Sequence, residues 1–382
     1  MRGNITRRGK SSWRLKFDLD RDPVTGKRRT RFITVRGKRQ DAQRELARLL
    51  TEASNGTLID PSKITVAESI CGWLDGAHGL SPKTLERYRQ LVEQQIIPYL
   101  GRIELQKLRP AHVQDWHDKI MRGGGKNGRP LSARTVGHAH RVLHRALQRA
   151  VENETLPRNV ASLIRPPKVE SQEVEILSAD EIGIVLAKLE DHALHPIATL
   201  ALATGMRRGE LLALRWGDVD LGGATMRVER ALEETGAGFR FKAPKTKHGQ
   251  RTVSLPKSAI EVLRAHRLKQ LELRVALGQG KQELDALVFS TFEGAPLSPD
   301  NLSRDWRRAV IALDLPKVKF HALRHSHASA LIASGLDVLT VSRRLGHGSP
   351  VITLSTYAHL FGKTDEKAAD AIEAALRTTG EQ

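Results

Sequence analysis

HALRHSHASALIASGLDVLTVSRRLGHGSPVITLSTYAHL, residues 321–360, is the stretch from which the rest of the chain can be read. A helix here sets His321, Arg324 and His325 on one face, because residues three and four apart lie one turn apart. A second helical pattern, with Leu336, Val338, Leu339 and Val341 as its apolar residues, stops at Gly346. His347 follows at once, and a short segment carries Tyr357. Histidines, an arginine and a tyrosine so close together suit chemistry on a phosphodiester. The phenol can attack phosphorus, cations can hold the charged oxygens, and imidazoles can share or move protons.

Composition points to the same partner. The 382 residues hold 62 Lys+Arg against 43 Asp+Glu, a formal net charge of +19. Such a surplus favours an anionic polymer, because each phosphate neutralised releases counterions. It is uneven: residues 1–60 hold 16 Lys+Arg and 7 Asp+Glu, which suggests a dedicated nucleic-acid-binding segment at the start. With 40% hydrophobic residues the chain can build real cores, and its length implies two or three domains. The single cysteine, Cys71, cannot form an intramolecular disulfide and fits a reducing compartment. Its apolar neighbours in SICGWL predict a buried thiol. No apolar run is long enough to span a membrane and the start lacks a signal-like apolar core, so a cytoplasmic, nucleoid-associated protein is expected.

Taken in order, residues 12–19 and 29–35 alternate apolar and polar residues and are joined by a turn through Pro23 and Gly26. A helix from Arg39 to Ala53 follows, with Ala42, Leu46, Leu49 and Leu50 on one face. The first domain, 1–60, thus reads as a three-stranded sheet plus a helix, with Arg14, Lys16, Arg29 and Arg31 free on the outer face. A second domain, 64–165, is helical. Ser81-Pro82 opens a helix that Pro98 is expected to end, and Pro110 opens another. The loop 123–130 reads as flexible and basic, and a helix from Ser132 carries interleaved arginines. Lys126, Arg129, Arg134 and Arg141 are its candidate phosphate contacts. Residues 165–176 read as a hinge, and a third domain, 177–382, mixes helices with strands near 225–230, 239–242 and 251–255. A last helical pattern, 365–377, presents Ala368, Ile372, Ala375 and Leu376. The fold class is multidomain, mainly α with small β-sheets.

At H-x-L-R-H, L-G-H and the following tyrosine the chain resembles the tyrosine recombinase, or phage-type integrase, family. ATGMRRGELLALRWGDVD (203–220) is similar to that family's first-arginine motif, and APKTKHGQRTVSL (243–255) to its β-hairpin lysine motif. The resemblance implies an arm-type DNA-binding domain, a core-binding domain and a catalytic domain. It also implies a catalytic set of Arg207, Lys245, His321, Arg324, His347 and Tyr357. Tyr357 would be the nucleophile, the arginines the phosphate clamp, and Lys245 the acid for the departing 5′-hydroxyl. From the residues alone Arg208 competes with Arg207, and the motif selects Arg207; Lys245 matches the motif's acid, with Lys247 two residues on as the alternative. Glu210 and His325 are expected to support the site from behind, and His327 to be structural. The pair His321/His325 lacks the carboxylate or cysteine of a metal-binding helix, so no metal is expected, and the resemblance implies a reaction that needs no cofactor.

The implied function is a site-specific integrase of a phage or integrative element. It would cleave and rejoin DNA through a 3′-phosphotyrosyl link and a Holliday junction. Its partners would be double-stranded attachment sites, three further copies in a tetramer, and accessory DNA-bending or directionality proteins. Two alternatives share the site: a type IB topoisomerase-like relaxing enzyme, and a non-catalytic DNA-binding protein of the same fold.

Overall fold

The computed structural model describes residues 3–19, 26–27, 29–54, 58–170, 174–244, 247–360, 369–370, 372–373 and 376. They fall into two compact units, 1–170 and 171–382.

The first unit opens with an antiparallel sheet, β1 (Gly3–Gly9), β2 (Ser12–Leu19) and β3 (Arg29–Arg36), in the order β1-β2-β3. Helix α1 (Arg39–Ser54) covers it, and Leu15 and Phe17 are buried against Ala42, Leu46 and Leu49. The register pairs Leu15 with Ile33 and Phe17 with Arg31. Side chains alternate between faces along a strand, so Arg29 and Arg31 share the covered face with Leu15 and Phe17. The expectation of four free outer-face cations is corrected accordingly. Arg31 donates to the Ile59 carbonyl at 3.3 Å, and Asp60 pairs with Arg29 at 3.1 Å and with Arg31 at 3.4 Å. Arg14 and Lys16 do lie outward, around the half-exposed ring of Phe32, with the Arg14 guanidinium 4.3 Å from the ring centre. The turn between β2 and β3 lies mostly outside the described residues.

A separate apolar core belongs to the helices that follow. Helix α2 (Val66–Asp75) starts at a capping box in which Thr65 and Glu68 satisfy each other's backbone N–H groups. Its inward stripe is Val66, Ile70 and Leu74, spaced by four. Cys71 falls off that stripe and is exposed, not buried as its neighbours suggested. Helix α3 (Pro82–Leu91) does not end at Pro98 either. It runs into a π-helical turn, Val92–Ile96, and on through α4 (Ile97–Leu100). Pro98 lies in the first turn of α4, where the missing N–H costs least. Helix α5 (Pro110–Gly123) and helix α6 (Ala133–Glu152) complete the core with Trp116, Ile120, Val136, Leu143 and Leu147. Tyr88 and Tyr99 pack against it. The glycine-rich loop is a closed turn, with the Gly125 N–H donating to the Arg129 carbonyl at 2.7 Å. Lys126, Arg129, Arg134 and Arg141 are all exposed.

The second unit is built around α8 (His195–Thr204), whose Ile197, Ala198, Leu200, Ala201 and Leu202 are all buried. Each large side chain fully withdrawn from water contributes about 1.5–3 kcal/mol. Around α8 stand α7 (Ala179–Lys188), α9 (Arg208–Leu211) and three short antiparallel strands in the order β4-β5-β8: β4 (Val219–Asp220), β5 (Thr225–Val228) and β8 (Arg251–Ser254). A two-stranded hairpin, β6 (Ala231–Thr235) and β7 (Gly238–Lys242), forms a separate sheet whose Leu232 joins the same core. The lysine segment 243–250 joins β7 to β8, and its residues 245–246 lie outside the described residues. The remaining helices are α10 (Lys257–Ala276), α11 (Pro299–Ala312), α12 (Ala322–Ala333), α13 (Val338–Leu345) and α14 (Pro350–Tyr357). The chain is mainly helical with small sheets, as its sequence implied. Most of the last helical pattern, 365–377, lies outside the described residues.

Candidate active site

Glycine at 205 begins the site. It ends α8 in the left-handed conformation (φ 64°), and a Cβ there would meet the His327 ring at 2.5 Å. The turn it permits delivers Arg207 to the N-cap of α9. Glu210, buried to 2% exposure, accepts from the Arg207 backbone N–H at 3.0 Å and from its Nη1 at 2.7 Å. This is no surface ion pair. Arg251 on β8 donates a third bond to the same carboxylate, at 2.9 Å. Burial raises the Glu210 carboxyl, but Arg251 and Arg207 outweigh it and hold the group below its ordinary value. Nη2 of Arg207 donates to the Gly346 carbonyl at 3.1 Å. Arg208 turns away to α11, where it donates to the Pro299 carbonyl and the Ser303 hydroxyl. Of the two arginines, Arg207 is thus the one bonded to Glu210 and Gly346, and Arg208 is engaged by α11.

Arg324 comes from α12 and is almost wholly buried. Its Nη1 donates to the Gly205 carbonyl at 2.6 Å, while its Nη2 is buried with no partner among the described residues. Burial first, and Arg207 second, lower its guanidinium from the ordinary arginine value. A buried donor without an acceptor costs free energy, and an anion would relieve it. His327, also on α12, is structural as expected. Its Nδ1 donates to the Leu202 carbonyl at 2.7 Å, and its other nitrogen accepts from Arg344 Nε at 3.2 Å.

Gly346 closes α13 at φ 67°, and Arg251 binds the Arg344 carbonyl beside it at 2.7 Å. His347 emerges there, and its Nδ1 lies 2.8 Å from the hydroxyl of buried Thr353 on α14. Burial, then Arg324 and Arg207, lower the His347 pKa to about 4, so the ring is neutral at physiological pH. Four residues on, one turn of the same helix, stands Tyr357, 1% exposed among Ala328, Ile332, Val341 and Leu345. Burial pushes its phenol up to about 12, and Arg324 acts in the opposite sense. Its hydroxyl lies 2.6 Å from Nδ1 of His325, whose ring in turn stands edge-on to His321 with centres 5.0 Å apart. His325 therefore touches the tyrosine itself and does not merely back the site.

Arg324 thus lies within electrostatic reach of Arg207, His347 and Tyr357, and His321 adjoins the group through His325. Lys245 and the side chain of Lys247 lie outside the described residues. Sequence reasoning passed over Arg251, Thr353 and Arg344. Arg251 stood inside a quoted motif, and the spacing of Thr353 to Tyr357 is one helical turn; the partner of Arg344 was beyond any local signal. Beside His321 opens a groove of about 970 Å³ whose rim includes Arg307, Lys317 and Lys319. Among the described residues no three histidine, cysteine or carboxylate side chains come together as metal ligands would, and no helix is long and apolar enough to cross a membrane.

The profile of the phage integrase family matches residues 170–363, and that of the phage integrase N-terminal SAM-like domain matches residues 72–121. An integrase from Streptomyces ambofaciens is 30% identical over 362 residues, 90% of this chain and 88% of that protein. A XerC-like tyrosine recombinase from Caldanaerobacter subterraneus subsp. tengcongensis is 27% identical over 389 aligned residues, covering 97% of each. Among solved structures, the Tn1549 transposon integrase in complex with a circular intermediate DNA shares the fold at a TM-score of 0.67. It is 19% identical and covers 81% of this chain and 99% of that one.

Proposed function

As a member of the phage integrase family, to which this chain belongs, the protein is a tyrosine site-specific recombinase, and we propose that Tyr357 carries its reaction. The observation that supports this most is the convergence of a buried phenol, a buried arginine nitrogen without an acceptor, and a neutral histidine. A scissile phosphate at that nitrogen would supply the missing acceptor. Arg207 offers the second planar donor set, and two guanidinium forks suit the two non-bridging oxygens better than point charges do. With the phosphate so held, the Tyr357 oxygen attacks phosphorus and displaces the 5′-oxygen, leaving a 3′-phosphotyrosyl link. Lys245 is the proton donor to that leaving oxygen in this reading, and His321 and His347 bond the phosphate. The bond energy stays in the phosphotyrosine, so rejoining by a 5′-hydroxyl of the partner duplex needs no cofactor.

The basic rim beside His321 supports approach of a DNA backbone from that side. The exposed pair Arg14 and Lys16 around Phe32 supports a DNA contact by the first domain, and Lys126, Arg129, Arg134 and Arg141 one by the second. Exchange between two duplexes takes four cleavages, hence four copies of one tyrosine on attachment-site DNA. We read residues 1–60, 64–165 and 177–382 as arm-binding, core-binding and catalytic domains. Accessory bending or directionality proteins fit such an element-borne enzyme, working in the cytoplasm beside the chromosome. A relaxing enzyme would need no arm domain.

The test is a nicked suicide duplex carrying the element's attachment site, run with wild type and Tyr357→Phe on a denaturing gel. A protein–DNA adduct in wild type alone is expected. An adduct in both moves the nucleophile elsewhere, and none in either with binding intact supports a non-catalytic protein.

A further inference from the structure

A phenol that attacks phosphorus must lose its proton, and buried Tyr357 reaches that step protonated at neutral pH. An acceptor has to stand within hydrogen-bond reach. Among the described residues only one group does so, Nδ1 of His325 at 2.6 Å. His347 has its Nδ1 engaged by Thr353, and His321 meets the edge of the His325 ring and not the tyrosine. Ala328, Ile332, Val341 and Leu345 pack around Tyr357 and offer the hydroxyl nothing.

We propose that His325 is a catalytic residue, the base that takes the Tyr357 proton during cleavage and returns it during rejoining. This rests on the reading of Tyr357 as the nucleophile. In cleavage the Oη–P bond forms and the P–O5′ bond breaks. The phenol proton passes to Nδ1, and the departing 5′-oxygen takes a proton from the acid, read as Lys245. Rejoining reverses each transfer: the attacking 5′-hydroxyl gives its proton back to that acid, and the leaving tyrosine recovers its own from the imidazolium. Nδ1 can accept only if the ring carries its hydrogen on Nε2. The titratable and charged groups around the ring are His321 and Arg324 on its own helix, His347 after α13, and Tyr357 on α14. Burial and then Arg324 lower the imidazole, which keeps the base form available at neutral pH. The motif places a histidine directly after the clamp arginine. On a helix that position is one residue on from Arg324 and a full turn from His321, which is how it comes to face α14.

Single-turnover cleavage of the suicide duplex by the full chain tests this, using His325→Asn, His325→Ala and Tyr357→Phe. Asparagine keeps a polar group near Nδ1 but cannot take the proton. The expected loss in His325→Asn is about 100-fold or more in the rate of adduct formation, with DNA binding kept. The loss should persist on a duplex with sulfur at the bridging 5′ position, whose leaving group needs no acid. The variant's rate should also climb about tenfold per pH unit above neutrality, since the phenol must then ionise unaided, while wild type stays nearly level. Cleavage by His325→Asn within about 3-fold of wild type, or its full rescue by the sulfur substrate, overturns the proposal. So does a ¹⁵N spectrum of wild type showing His325 as the Nδ1–H tautomer, a measurement that does not depend on any variant folding. If Tyr357→Phe still forms an adduct, it is the reading of the nucleophile that fails instead.

Discussion

Glu210 illustrates how single side chains divide labour here. Its buried carboxylate accepts from the Arg207 backbone, the Arg207 guanidinium and Arg251, and Arg251 is itself only 7% exposed. Removing one partner of a buried ion pair leaves the other charge without compensation, at a cost of about 3–5 kcal/mol. Glu210→Ala should therefore lower the thermal midpoint sharply. Arg207→Ala should lower it less, because Arg251 and the backbone N–H of residue 207 still hold the Glu210 carboxylate, yet abolish adduct formation. Equal melting losses in the two variants would contradict this account. The candidates Arg324, His347 and Tyr357 could be picked out because the spacing of H-x-L-R-H, L-G-H and the tyrosine is itself a signature. What makes Arg208 turn away is α11, some 90 residues further along, and no local pattern contains that partner. For the same reason Arg251 and Arg344, whose bonds cross between elements, were not legible.

Strand and helix periodicity carried the next scale up. Serine and proline marked the starts of helices at Pro82, Pro110 and Ala133 because a serine side chain or a proline there meets a local backbone need. Parity along β3 was misjudged because only the pairing with β2 fixes which face is covered, and charged residues stood on the covered side. That correction yields a test. Arg14→Ala with Lys16→Ala should reduce the slope of log affinity against log salt for arm DNA by about two, one per lost phosphate contact. Arg31→Ala should leave the slope unchanged and lower stability instead, because it removes the bonds to Ile59 and Asp60. An altered slope in Arg31→Ala would return that arginine to the DNA-facing set. Pro98 is the matching lesson for helices: a π turn upstream shifts the register so that a proline in mid-sequence falls in a first turn.

At the scale of the whole molecule, composition and periodicity anticipated a mainly helical chain with small sheets. What they could not specify is how segments distant in sequence meet, since that is decided by packing. The tail, 365–382, is where the proposed assembly can be tested. Its apolar positions at helical spacing include Ile372 and Leu376, both exposed. In the tetramer proposed above they would offer a face to a neighbouring copy. Deleting 365–382 should weaken pairing of two attachment sites in a gel-shift assay while sparing cleavage of a single site; unaltered pairing would sink that role. The lone thiol offers a way to watch the same event. Cys71 is the sole cysteine in the sequence and is exposed on α2. A maleimide dye therefore has one address on the unaltered chain. Donor- and acceptor-labelled batches, mixed on DNA, would report the meeting of subunits as energy transfer, in real time and without a single substitution.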